Sequence, residues 1–220
     1  MMSGLRIGNM SEKKVFFIEE HLDCNSVDLY NEYTHIRAYH ACRPLDIQKY
    51  LSEGIQVLSR KQTLNEALAR IHSSYVSEAD IKRKFNANWK DSESEVFLNI
   101  NKQELLTASS HYLIYGSEFL NRLAMELGCR GNLKETGIPT IFYCDIPIED
   151  INPSIIFEIE RKVKSGYVDD ITITVAEVLP CDIVNYEHPL QRLQDYHVGG
   201  AYRANYEALK SNGFSSPKIK

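Results

Sequence analysis

The chain has 220 residues, of which 25% are charged and 43% hydrophobic, and a formal net charge of −5; that is enough to bury a core in one domain without disulfides. The acidic balance argues against broad electrostatic capture of nucleic acid or of an anionic membrane. The five cysteines, Cys24, Cys42, Cys129, Cys144 and Cys181, are odd in number, widely spaced and free of any C-x-x-C pair. Neither a disulfide framework nor a zinc ribbon is expected, and reduced thiols fit a cytoplasmic location.

The first 14 residues are polar and lack the apolar stretch of a signal peptide, and no later run approaches the ~20 apolar residues of a membrane span. Residues 1–13 read as a flexible tail, residues 14–190 as one domain and residues 191–220 as a partly disordered extension. No repeat is visible, which sets solenoids and propellers aside.

Residues 15–18 form a short apolar run that predicts an edge strand, and Ser26 is a plausible cap for a short helix through Tyr33. Residues 36–41 are rich enough in β-branched and aromatic side chains for a strand. Residues 46–53 read as a helix stopped by Gly54. Two capping boxes, at residues 63–66 and 77–80, open helices that make the middle of the chain a helical insertion. Strand signals return at residues 96–100 and 112–115, the second passing through Gly116 and Ser117 into an amphipathic helix that ends at Gly128. Residues 139–146 are the most hydrophobic strand and take a central place. Asn152 and Pro153 open a helix to Lys164, and residues 171–179 form the last strand. Helices and strands mix without regular βαβ alternation, so the fold expected is α+β, a split antiparallel sheet with a helical insertion and peripheral helices.

Three places depart from plain core patterning. On the strand at 36–41, alternation puts His40 on the apolar face with Ile36 and Ala38. It is either a satisfied core histidine or a group held in a cleft. On the last strand, alternation puts Glu177 with Ile171, Ile173 and Val175, and an inward carboxylate is costly unless paired or functional; the alternative is a strand-end glutamate already in solvent. At Gly116 and Ser117 the N–H groups of the first helical turn could receive a phosphate, or Ser117 is an ordinary cap.

The segment Tyr39-His40-Ala41-Cys42-Arg43, the short helix after it and Glu53-Gly54-Ile55 together resemble the opening of the ADP-ribosyltransferase fold of poly(ADP-ribose) polymerases and RNA 2′-phosphotransferases. That resemblance implies a split antiparallel sheet gripping NAD as substrate, with no metal. It implies that His40 bonds the adenosine-side ribose, that Tyr115 (or Tyr112) stacks on nicotinamide, and that Glu177 binds the nicotinamide ribose. Arg43 could hold the pyrophosphate bidentately, with Gly116 and Ser117 contributing to the cofactor site. The implied reaction is ADP-ribosyl transfer to a protein or nucleic-acid acceptor, or NAD glycohydrolysis, and toxin or defence roles are common in such families.

A metal hydrolase lacks its motif, since His35 and His40 fall on opposite strand faces and no H-x-x-x-H helix exists. A cysteine nucleophile at Cys42 beside His40 lacks an orienting third group. A non-catalytic nucleotide- or partner-binding module on the same fold is the main alternative. Tyr186, Tyr196, Tyr202 and Tyr206 cluster late in the chain and suggest a homo-oligomer or docking surface there.

Overall fold

The computed structural model describes residues 12–21, 26–90, 95–167 and 171–211. Cys24, most of the N-terminal tail and the end of the C-terminal tail lie outside them. In chain order the elements are β1 (Val15–Phe16), α1 (Leu29–Glu32), β2 (His35–Cys42), α2 (Ile47–Glu53), β3 (Ile55–Gln56), α3 (Arg60–Ile71), α4 (Glu78–Asn88), β4 (Val96–Asn99), α5 (Lys102–Leu106), α6 (His111–Tyr115), α7 (Glu118–Glu126), β5 (Thr140–Pro147), α8 (Pro153–Ser165), β6 (Thr172–Val175), β7 (Glu177–Val178), β8 (Ile183–Glu187), β9 (Leu193–Asp195), β10 (Gly200–Tyr202) and α9 (Tyr206–Ser211).

The fold is α+β. The main sheet runs β6-β4-β2-β5-β8, all antiparallel, with β1 parallel to the start of β2. Two further pairs, β3–β7 and β9–β10, stand apart from it. Strand β5 pairs with β2 along its whole length and is buried on both faces, as its unbroken apolar run predicts.

Helices cover both faces. On one, Ile36 and Ala38 of β2 and Phe142 and Cys144 of β5 pack with Ile156, Ile159 and Val163 of α8 and with Ile47 of α2. On the other, Tyr39, Ala41 and Ile141 pack with Ala67, Ile71, Ile81 and Phe85 of the helical insertion and with α6 and α7. Burying one such large apolar side chain stabilises by about 1.5–3 kcal/mol. Among the described residues no helix is long and apolar enough to cross a membrane.

Several expectations are corrected. Residues 112–115 are helix α6, not a strand; Leu113, Ile114 and Tyr115 are all buried, and four apolar residues in a row cannot distinguish a strand from a buried helical turn. Helix α3 starts earlier than Thr63, because Ser59 and Gln62 form the capping box. Asp28 rather than Ser26 caps α1. The last strand is two strands: a bend at Ala176 separates β6, in the main sheet, from β7, which pairs with β3. The C-terminal extension contributes the β9–β10 hairpin, whose Leu193 and Asp195 are buried. Tyr202 and Tyr206 turn inward, their hydroxyls bonded to Arg43 and to the Pro189 carbonyl.

Candidate functional site

Strand β2 places His40 opposite Phe142, onto whose ring Tyr50 of α2 stacks at 5.0 Å. The half-buried imidazole has its Nδ1 3.0 Å from the Phe97 carbonyl. A carbonyl only accepts, so Nδ1 carries the proton and Nε2 is left with its lone pair. Burial lowers the His40 pKa, against the opposing Phe97 hydrogen bond, and the ring is therefore neutral at pH 7. Nε2 has no hydrogen-bond partner among the described residues. It is an acceptor suited to a hydroxyl.

The end of α2 explains the glycine. Gly54 has φ +83° and ψ −171°, a region that only glycine occupies readily. A Cβ there would lie 2.2 Å from the Val178 carbonyl oxygen. This close approach lets β3 pair with β7, setting Ile55 against Val178 and Gln56 against Glu177. Both members of the first pair, Ile55 and Val178, enter the core.

Glu177 is exposed rather than inward. The bend at Ala176 reverses the alternation, so Val178 takes the core position that an unbroken strand would have given to Glu177. Along the register, His40 stands level with Leu98 and Ile173, two strands from Glu177's chain and four residues below it. Beyond the bend the chain of Glu177 leaves the main sheet to pair with β3, so the two residues stand on different sheets.

The other expected residues gather elsewhere. Arg43 is 1% exposed and all five of its N–H groups are used: Nε to Thr136 O at 3.0 Å, Nη1 to Leu113 O at 3.2 Å and Tyr202 Oη at 2.8 Å, Nη2 to Lys134 O at 2.7 Å and Gly137 O at 3.0 Å. It stitches loops together and has no donor left for a pyrophosphate. Tyr115 is fully buried, and its hydroxyl donates to Asp195 Oδ2 at 2.6 Å. Lys134 Nζ lies 2.7 Å from the same oxygen and 5.3 Å from the Tyr115 ring centre. The ring thus has no open face for nicotinamide. Gly116, at φ +93°, makes room for Arg70, whose Nη1 would lie 2.6 Å from an added Cβ. Ser117 caps α7 by accepting from the Leu120 N–H at 3.2 Å. Tyr112 donates to Glu118 at 3.0 Å.

Compared with family models, with curated proteins and with solved structures, the chain matches none.

Cys42 accepts a hydrogen bond from Tyr50, yet burial pushes its thiol well above the ordinary range, which leaves no thiolate nucleophile at neutral pH. Among the described residues no group of three or more His, Cys, Asp or Glu is placed to hold a metal ion.

Two polar clusters escaped sequence reasoning. One is the Tyr115–Asp195–Lys134 network. The other lies on the same sheet face, where Tyr143 Oη accepts from Lys102 at 2.8 Å and donates to Glu187 at 2.5 Å, with Arg37 bonded to Asp145 at 2.6 Å nearby. Alternation along β5 puts Tyr143 and Asp145 on one face and is the signal available for the second. Nothing local marks Asp195.

Proposed function

We propose that the protein carries out NAD-dependent ADP-ribosyl transfer, or NAD glycohydrolysis, with Glu177 and His40 as the residues that meet substrate. The observation that carries this reading is the β3–β7 pair. It stands outside the main sheet and joins Gly54-Ile55, the end of the motif that opens at His40, to the strand of Glu177 more than a hundred residues later. A strand pair apart from the main sheet supports the split sheet that the resemblance implies, and the carboxylate is presented to solvent.

The chemistry follows from the bond broken. Loss of nicotinamide develops oxocarbenium character on the ribose, and an exposed Glu177 carboxylate near the 2′-hydroxyl stabilises that charge. His40 Nε2 accepts a hydroxyl of the distant ribose, with the dinucleotide laid between it and Glu177. Neither Tyr115 nor Arg43 has a part in this scheme. The acceptor is a protein, a nucleic acid or water. The cytoplasm is the proposed compartment, with Cys42, Cys129, Cys144 and Cys181 free of disulfides.

The two residues predict different kinetic signatures. Glu177→Gln lowers kcat by about a hundredfold or more with little change in KM, because its contact strengthens in the transition state. His40→Ala chiefly raises KM. Initial rates of nicotinamide release over a range of NAD concentrations separate the two, and equal losses in both parameters for both variants would remove the assigned roles. NAD binding without turnover in the unaltered protein would favour the non-catalytic module.

A further inference from the structure

Among the described residues, two buried side-chain polar atoms lack any hydrogen-bond partner, Asn121 Oδ1 and Arg130 Nε. The first contacts the C-terminal hairpin, and the second lies against a ring that the hairpin holds. Asn121, 6% exposed, meets His197 of the hairpin turn through Nδ2 at 3.0 Å. Arg130 lies over the Tyr115 ring at 5.5 Å, and the hydroxyl of that ring holds Asp195 of β9. Buried polar atoms are nearly always satisfied, so two orphans under one element mark an imperfect cover.

The charges beneath that cover are unbalanced too. Arg130 and Lys134 both lie against the Tyr115 ring, while the hairpin supplies one carboxylate, Asp195, which bonds Lys134. Arg130 has no acidic partner among the described residues. Arg130 and Lys134 are half-buried, and a cation left there without an acceptor attracts an anion. Burial opposes ionisation of Asp195, but hydrogen bonds from Lys134 and Tyr115 outweigh it and hold the carboxyl below the usual range. The hairpin carboxylate is thus an anion already seated against Lys134.

The hairpin can leave without breaking the main sheet. Strands β9 and β10 pair only with each other. Beyond side-chain contacts at Leu193, Asp195, His197 and Tyr202, the hairpin is tied by the Ser110 hydroxyl to the Gln194 carbonyl at 2.6 Å. Its entry runs through exposed Leu190, Gln191 and Arg192.

We propose that Tyr115, Arg130 and Lys134 form a binding site for a phosphate-bearing ligand, which Asp195 fills as an internal stand-in until the hairpin is displaced. The ligand's oxygens would take over the Lys134 and Tyr115 bonds of Asp195 and give Arg130 the acceptor it lacks. The site lies on the sheet face opposite His40 and is independent of the NAD reading.

Inorganic pyrophosphate is the probe. By calorimetry on the full chain, Asp195→Ala binds pyrophosphate at least tenfold more tightly than the unaltered protein, and adding Lys134→Met removes the gain. Equal affinity in Asp195→Ala and the unaltered chain would overturn the proposal. Should Asp195→Ala not fold, amide exchange of the unaltered chain decides. Millimolar pyrophosphate speeds exchange at residues 193–202 and leaves β2 and β5 unchanged, whereas unchanged exchange in the hairpin would overturn the proposal equally.

Discussion

Burial of the His40 ring disfavours its imidazolium more than the Phe97 carbonyl favours it, and this balance gives stability a pH dependence. As pH falls below about 6.5 the unfolded imidazole takes up a proton, while the folded one resists until lower pH. The unfolded state then binds more protons, so stability falls through that window. Burial depresses His35 and His111 in the same direction. Urea unfolding at about pH 7.5 and about pH 5.5 should show this loss, and His40→Gln should make it smaller; an identical loss would contradict the account of His40. Tyr115→Phe removes one hydrogen bond to the buried Asp195 and should cost about 1–3 kcal/mol while leaving any NAD turnover unchanged. A specific fall in turnover at unchanged stability would return Tyr115 to the catalytic site.

At the scale of elements, Gly54 is the most constrained junction. Gly54→Ala combines a backbone region costing about 1–3 kcal/mol with a clash against the Val178 carbonyl. It should destabilise by upwards of about 2 kcal/mol in denaturant and detach β7, so turnover should fall even where the chain remains folded. A variant as stable and active as the unaltered chain would show that the β3–β7 pair does not set the position of Glu177. This junction was legible in the sequence, since a glycine ending a short amphipathic helix before Ile55 has few other uses. The orientation of Glu177 was not. Alternation presumes a continuous strand, and a single bent residue, Ala176, exchanges the inward and outward positions beyond it. Tyr112-Leu113-Ile114-Tyr115 was misread for a related reason. Its burial comes from β2, α5, α7 and the C-terminal hairpin packing around it, and no local pattern carries that information.

Over the whole molecule, helices on both sheet faces and the central β5 could be read from apolar runs and periodicity. The role of the chain's end could not. Asp195 and Tyr202 close a buried network with Arg43, Lys134 and Tyr115, partners 61 to 159 residues earlier, and such pairings leave no trace in local composition. Removing residues 190–220 should therefore strip Arg43 of a partner and leave Lys134 without its carboxylate, lowering the urea midpoint markedly; an unchanged midpoint would mean the hairpin is peripheral to the fold. The split between the main sheet and β3–β7 is what supports the proposed NAD chemistry, and one assay bears on it most directly. The full chain is incubated with NAD, and free nicotinamide is followed beside Glu177→Gln of matched stability. The account predicts release by the unaltered chain and its near-complete loss in the variant; release that persists in Glu177→Gln, or an unaltered chain that neither binds nor cleaves NAD, would contradict it.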